Sequence, residues 1–194
     1  MRLGIYVGSF NPVHKGHKHV MEYILDNQYV DKVIVIATGN YWDKVDMISI
    51  QDRINMLSFY EKENIIINRD LNAIPFTYQV LENLQKQYPN DQLYLIIGAD
   101  NLPKFHLWKQ VNTILKHHIL VLQRNDMNMD TYIQNFKQKN QFIMVKDFQY
   151  FNISSTEIRK AIELGNVKNL ETYLDKDILE YIIKNGLYQR RKEK

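Results

Sequence analysis

The chain has 194 residues, 45% hydrophobic and 24% charged, a balance that is typical of a folded globular protein and argues against a disordered one. Its net charge of +3 comes entirely from the last five residues, RRKEK, so the rest is neutral, which argues against a nucleic-acid partner because such partners need a contiguous basic face. The absence of cysteines excludes disulfides and thiolate zinc sites, and since no apolar run reaches the roughly 20 residues that span a bilayer, we expect a cytoplasmic protein with no membrane partner.

Short runs of β-branched residues alternate along the chain with longer amphipathic stretches. The runs predict strands over residues 3–7, 32–37, 64–68, 93–97, 119–122 and 142–145. The stretches predict helices over residues 16–26, 50–60, 76–88, 154–164 and 175–184. Continuous apolar strands separated by helices indicate a parallel sheet covered on both faces.

We therefore predict a doubly wound α/β fold, one domain over residues 1–189 with a small C-terminal helical part from about residue 154 and a basic tail at residues 190–194. In such folds, ligands bind beyond the carboxyl ends of the strands, at the point where the strand order reverses. The polar motifs follow the first and fourth predicted strands, so the site is expected there.

The first predicted strand is followed by GSFNPVHKGH, residues 8–17. Gly8 allows backbone N–H groups to approach an anion closely, and the positive dipole end of the next helix faces the same space. His14 and His17 lie three residues apart, so both imidazoles share one side of the helix start. From the residues alone, the pair is consistent with phosphate binding, with a metal site of the His-x-x-His kind, or with no role.

The fourth predicted strand runs into IIGADNL, and a tryptophan follows it. Gly98 again permits a close backbone approach, and Asp100 projects toward the switch point, where a ribose hydroxyl is a natural partner for a carboxylate. Asp100 is equally suited to capping the next helix. Trp108 offers a flat face to an aromatic ring, or a large apolar surface to the core.

Near the C-terminus, ISSTEIR at residues 153–159 is typical of a helix N-terminus. Ser154 and Glu157 have the spacing of a capping box. The free N–H groups, the hydroxyls and the guanidinium of Arg159 are also suited to binding phosphates.

The string GSFNPVHKGH resembles the G-x-F-D/N-P-x-H-x-G-H signature of the HxGH nucleotidyltransferases. With IIGADNL and its tryptophan, ISSTEIR and the closing IIKNGLY, the chain resembles bacterial nicotinate-nucleotide adenylyltransferases along essentially its whole length. The segment PFTYQVL, residues 75–81, is similar to that family's S-Y-T-x-x-T-L helix start. The resemblance implies a Rossmann-like nucleotidyltransferase fold, and transfer of AMP from ATP to nicotinate mononucleotide that yields deamido-NAD and pyrophosphate.

The resemblance also implies roles for single residues. The catalytic residues it implies are His14, His17, Lys44 and Arg159. The ATP-binding residues it implies are Gly8, Ser9, Phe10, His14, His17, Gly98, Asp100, Ser154, Ser155, Thr156 and Arg159. The mononucleotide-binding residues it implies are Asn11, Lys44, Thr77, Asp100 and Trp108. Mg²⁺ is expected to arrive with ATP rather than at a metal site of the protein, and the chain is expected to act as a monomer or homo-oligomer.

Two segments depart from the family's pattern. The usual Pro-Pro-His-Lys-like stretch is replaced by TGNYWDK, residues 38–44, in which Lys44 is the candidate cation. Pro75 and Phe76 replace the Ser and Tyr of S-Y-T, which leaves the preference for nicotinate over nicotinamide open.

Three alternatives to the proposed reaction remain at this point. The first is transfer to nicotinamide mononucleotide or another phosphorylated acceptor, and the second is a nucleotide-binding regulator without catalysis. The third is a metal-dependent hydrolase built on His14, His17 and the pair His117 and His118.

Overall fold

The computed structural model describes residues 1–39, 47–124 and 126–189, and within them six strands form one sheet. The strands are β1 (Arg2–Gly8), β2 (Lys32–Ala37), β3 (Ile65–Asn68), β4 (Gln92–Gly98), β5 (His118–Leu122) and β6 (Phe142–Val145). All neighbouring strands are parallel, in the order β3-β2-β1-β4-β5-β6. The order reverses between β1 and β4, which confirms the doubly wound sheet and places its switch point beside the first motif.

Eight α-helices lie in the same described ranges. They are α1 (Lys15–Asp26), α2 (Ile50–Ser58), α3 (Thr77–Gln87), α4 (Leu102–Phe105), α5 (Val111–Ile114), α6 (Asp130–Ile133), α7 (Ser155–Glu163) and α8 (Lys176–Lys184). The five predicted helices are α1, α2, α3, α7 and α8, each with ends within two residues of the expectation. Helices α4, α5 and α6 were not predicted, because a single four-residue turn has no apolar periodicity to detect.

Helices cover both faces of the sheet, which explains why the central residues of its strands are mostly apolar. Val33 and Val35 of β2 pack in one core with the buried residues of α1, α2, α7 and α8. Ile34 and Ile36, pointing the other way, pack in a second core with α3, α4, α5 and α6. Each such side chain removed from water contributes about 1.5–3 kcal/mol, so both cores hold the strand ends in place.

None of the helices in the described ranges combines the length and the apolar character that crossing a membrane requires.

Candidate active site

A cleft of about 210 Å³ opens at the carboxyl ends of β1 and β4. Its walls come from the turn after β1, the first turns of α1, and the segments that follow β4, β5 and β6. The lining residues used below are Tyr6, Gly8, Phe10, His14, Gly16, His17, Gly98, Asp100, Trp108, Arg124, Phe148 and Tyr150.

The two histidines of the first motif form the start of α1. His14 is the N-cap, in extended conformation, and its Nδ1 accepts a hydrogen bond from Gly16 N at 3.1 Å. In return, Nδ1 of His17 accepts from His14 N at 3.2 Å, which completes a capping box made of two imidazoles. The rings stack with centroids 3.7 Å apart and planes 29° apart. Because both Nδ1 atoms accept N–H bonds, each neutral ring carries its proton on Nε2.

Burial keeps this pair neutral. Loss of hydration, and to a smaller extent the positive charge of Arg124, lowers the pKa of His14 to about 4. The pKa of His17 lies well below its usual value, first because the ring is buried and then because of His14 and Arg124. At pH 7 the turn therefore presents two Nε2–H donors without a net charge, while the N-terminus of α1 adds its dipole.

The small residues of the motif make room for its rings. A Cβ on Gly16 would lie 3.0 Å from Cε1 and Nδ1 of His14, and a Cβ on Gly8 would lie 2.9 Å from the Phe10 ring. Phe10 is buried with a positive φ of 46°, and its ring meets His17 edge-on at 5.0 Å. The glycines of the motif are thus fixed by the packing of His14 and Phe10.

Three neighbouring strand ends bring together Asp100, Arg124 and Tyr150. Gly98 is paired with Leu122 across β4 and β5, so the residues two positions beyond each, Asp100 and Arg124, meet as an ion pair of 2.7 Å. Arg124 also donates to the hydroxyl of Tyr150 and lies 4.1 Å above its ring. Sequence reasoning missed Arg124 and Tyr150, although counting two residues past the end of the fifth predicted strand would have pointed to Arg124.

The start of α7 is attached to the first motif rather than to the cleft wall. Nη1 of Arg159 donates to Asn11 O at 2.8 Å, and the Ser155 hydroxyl donates to Pro12 O at 2.9 Å. Tyr188, near the C-terminus, donates its hydroxyl to Asn11 Oδ1 at 2.8 Å. Helix α7 therefore lies against the histidine turn through backbone carbonyls, and joint binding of ATP by the two segments stays a prediction.

The expected capping box at α7 is only partly correct. The Ser154 hydroxyl accepts from Thr156 N at 3.2 Å, rather than from Glu157 N. Glu157 is exposed. The cap is therefore the Ser154 hydroxyl alone, and the Glu157 carboxylate lies in water.

A buried arginine supports the same loop from α2. Arg53 has no exposed surface, and its Nη1 donates to Ser9 O at 2.7 Å. Burial lowers the pKa of this guanidinium. The ordinary pKa of an arginine is so high that the group nevertheless stays charged. No local pattern pointed to Arg53, because an arginine within an amphipathic helix is normally assigned to the surface.

The structure places some of the candidate mononucleotide-binding residues on the wall of the cleft and others outside it. Trp108 lines the cleft, half-buried with its ring 5.0 Å from Phe105. Thr77 is the first residue of α3 and does not line the cleft. The two segments are nevertheless neighbours, since Nζ of Lys109 lies 4.1 Å above the ring of Phe76. Lys44 lies outside the described residues.

The four-histidine metal alternative is wrong on geometry. His118 opens β5 and therefore lies at the amino edge of the sheet, whereas the His14–His17 pair lies at the carboxyl edge. Within the described residues, no group of three or more His, Asp or Glu is arranged to hold a metal ion.

A doubly wound parallel sheet with a helix N-terminus and two imidazole donors at its switch point is typical of the class of nucleotide-binding α/β proteins. The model of the cytidylyltransferase-like family matches residues 5–161. A probable nicotinate-nucleotide adenylyltransferase of Clostridium tetani (strain Massachusetts / E88) is 32% identical over 197 residues, 95% of this chain and 98% of the relative. The corresponding protein of Borrelia turicatae (strain 91E135) is 33% identical over 205 residues, 99% of this chain and 100% of the relative. The chain therefore belongs to the cytidylyltransferase-like family and, within it, to the family of nicotinate-nucleotide adenylyltransferases.

Solved structures share the fold. The nicotinic acid mononucleotide adenylyltransferase of Plasmodium falciparum, complexed with NaAD, superposes with a TM-score of 0.80 at 23% identity, covering 96% of this chain and 97% of that one. The same enzyme complexed with APC gives a TM-score of 0.76 at 20% identity, covering 96% of each chain. This similarity confirms the Rossmann-like nucleotidyltransferase fold.

Proposed function

We propose that this chain transfers AMP from ATP to nicotinate mononucleotide, making deamido-NAD and releasing pyrophosphate. The observation that carries the proposal is the neutral, stacked pair of His14 and His17, whose Nε2–H groups are the ring donors left for a ligand at the switch point. The relatives over essentially the whole chain are named for this reaction. ATP and nicotinate mononucleotide are the partners, and the protein acts in the cytoplasm as a monomer or homo-oligomer.

The chemistry needs positioning and charge stabilisation more than proton transfer. The 5′-phosphate of the mononucleotide is already anionic at pH 7, so it attacks the α-phosphorus of ATP in line without a general base. As the P–O bond to pyrophosphate breaks, negative charge grows on the α-phosphate oxygens. His17 donates its Nε2–H to that phosphate, while His14 holds the triphosphate or the attacking phosphate. A neutral donor suits this role because it gives up no proton to the leaving group.

The other candidate residues are assigned around that centre. Asp100 accepts from a ribose hydroxyl, and Trp108 stacks on the pyridine ring. Backbone N–H groups of the turn at residues 8–10 and of the α7 start, with the α7 hydroxyls, bind the phosphates of ATP. Arg159 steadies the pyrophosphate with N–H groups other than the Nη1 that holds Asn11 O. Lys44 keeps the same role as a proposal from the sequence, and Thr77 is proposed to reach the mononucleotide when it is bound.

Mg²⁺ enters as part of the substrate. The described residues offer no cluster of three or more His, Asp or Glu that could hold a metal, which fits an ion carried by ATP oxygens and water. When bound, Mg²⁺ supplies positive charge to the triphosphate.

Initial rates test the proposal directly. The purified protein is given MgATP with either nicotinate mononucleotide or nicotinamide mononucleotide, and pyrophosphate and dinucleotide are both quantified. We expect stoichiometric deamido-NAD and pyrophosphate, with a higher kcat/KM for nicotinate mononucleotide. Equal or better use of nicotinamide mononucleotide would overturn the acceptor assignment. ATP binding without turnover of either acceptor would instead indicate a regulator.

A further inference from the structure

One charged group in the cleft has no part in the reaction described so far. Among the described residues that line the cleft, Arg124 is the one with a permanent positive charge. Its guanidinium is held on two sides, by Asp100 Oδ2 at 2.7 Å and by the hydroxyl and ring of Tyr150. The pair also lies close to Gly98, where an added Cβ would clash with Asp100 Oδ1 and would lie 3.3 Å from Arg124 Cδ. The position of the Asp100–Arg124 pair therefore depends on the absence of a side chain at residue 98, because a larger residue there would displace the pair.

The surroundings of the histidine pair contain few other charges. The titratable and charged side chains that face it across the cleft come from four elements: Tyr6 of β1, Asp100 after β4, Arg124 after β5 and Tyr150 after β6. Burial raises the pKa of Tyr6 far above its ordinary value, so this phenol stays neutral. Among the described residues that line the cleft, Arg124 and Asp100 are the ones with full charges, and Arg124, after burial, lowers the pKa of both His14 and His17.

We propose that Arg124 is a positioning residue with two separable effects: its charge adds to burial in opposing protonation of the His14–His17 pair, and its guanidinium, which bridges Asp100 and Tyr150, holds the Asp100 carboxylate at the mouth of the cleft. The first effect offsets the influence of anionic substrates, which by themselves would raise the pKa of both rings. The second fixes an acceptor for the ribose before the nucleotide arrives, so less conformational freedom is lost on binding. The inference rests on the proposed function only where it speaks of substrates.

The test separates charge from geometry with four variants. Arg124→Met removes both effects, and Arg124→Lys keeps the charge but not the planar fork. Arg124→Gln removes the charge but keeps a donor, and it carries the test if Arg124→Met does not fold. Arg69→Met is the matched control, because Arg69 forms an ion pair of the same 2.7 Å with Glu61 and does not line the cleft.

The first readout is NMR titration of the imidazole signals in the protein without substrate, with His14 and His17 assigned from His14→Asn and His17→Gln. We expect the His14 midpoint to move to higher pH by about half a unit or more in Arg124→Met and Arg124→Gln. Arg124→Lys and Arg69→Met should leave it in place. An unmoved midpoint in both neutral variants, or an equal shift in Arg124→Lys, would overturn the charge effect.

The second readout is the split between KM and kcat. In Arg124→Lys we expect KM for the nucleotides to rise about tenfold or more, with kcat changed much less, because a lysine cannot bridge Asp100 and Tyr150 and so leaves the carboxylate less firmly oriented. A KM equal to that of Arg69→Met would overturn the positioning effect. The titration involves no turnover, so a failure of the proposed acceptor chemistry leaves it intact. If the neutral Arg124 variants are active but their His14 midpoint does not move, the charge effect of Arg124 is ruled out and the proposed reaction is unaffected.

Discussion

Each imidazole of the first motif uses its two ring nitrogens for different purposes. In His14 and His17 the Nδ1 atom closes the backbone at the start of α1, so Nε2–H is the polar group left for a ligand. A serine or glutamate in these positions would cap the helix equally well but would present no such donor. The structural role and the proposed chemical role therefore coexist in one side chain, and they have to be separated by experiment.

His17→Ala should lower kcat by about 10²–10³-fold, the typical cost of losing one preorganised donor to a developing oxyanion. The matched control is His19→Ala, which removes an imidazole from the same helix. His19 stacks on Phe148 with centroids 5.0 Å apart, but it does not line the cleft. Its kcat should stay within about threefold of the unaltered protein. Pyrophosphate release at the normal rate by purified His17→Ala would remove this residue from the mechanism.

Among the elements, the C-terminal helical part contributes to the site by holding the first motif in place. Helix α7 binds Asn11 O and Pro12 O, and the residues after α8 bind Asn11 Oδ1 through Tyr188. These bonds join segments that lie more than 140 residues apart in the chain. A turn anchored in this way keeps His14 in the extended conformation that its cap requires.

Tyr188→Phe should therefore lower kcat/KM about tenfold, because loss of the bond to Asn11 Oδ1 lets the turn shift relative to the substrate. Tyr181→Phe is the control on the same part of the chain. The Tyr181 hydroxyl donates to Asp52 at 2.9 Å and accepts from Asn55 at 2.8 Å, away from the cleft. Both variants should lose about 1 kcal/mol of unfolding free energy, measured with urea. If the two lost activity equally, a general loss of stability would explain the result.

What could be predicted depended on whether the signal was local. The strands, the long helices and the sharing of one helix face by His14 and His17 follow from periodicities within a few residues, and the structure has them. The meeting of Asp100 with Arg124 depends on the register of Gly98 against Leu122, which long-range pairing decides.

Side-chain partners that lie far apart in the sequence were equally hidden. The bonds of Arg53 to Ser9 O and of Tyr188 to Asn11 Oδ1 depend on how α2 and the C-terminal segment pack on the first motif, which no local pattern reports. In this structure Nη1 of Arg159 donates to a backbone carbonyl. The phosphate contact expected for Arg159 remains a prediction.

For the molecule as a whole, the cost of burying neutral imidazoles must show in the dependence of stability on pH. An unfolded histidine binds its proton near pH 6.5, whereas burial lowers the pKa of His14 to about 4 in the folded chain and that of His17 well below its usual value. Between these values the unfolded chain holds more protons than the folded one. Stability is therefore complete above about pH 6.5 and falls as the pH falls toward 4.

We expect His14 alone to account for a loss of about 3 kcal/mol across this window. Urea unfolding at pH 7.5, 6.5, 5.5 and 4.5 measures this loss.

The double variant His14→Asn with His17→Gln supplies the comparison, since Asn is a good N-cap and Gln a good third residue of a capping box. Its stability should vary much less over the same range, with a remainder from His117, whose pKa burial also lowers. The ion-paired carboxylates Asp31 and Glu61, whose pKa values are lowered, lose their contribution only at more acidic pH. A double variant that loses as much free energy as the unaltered chain between pH 6.5 and 4.5 would show that the pair is not held neutral by folding.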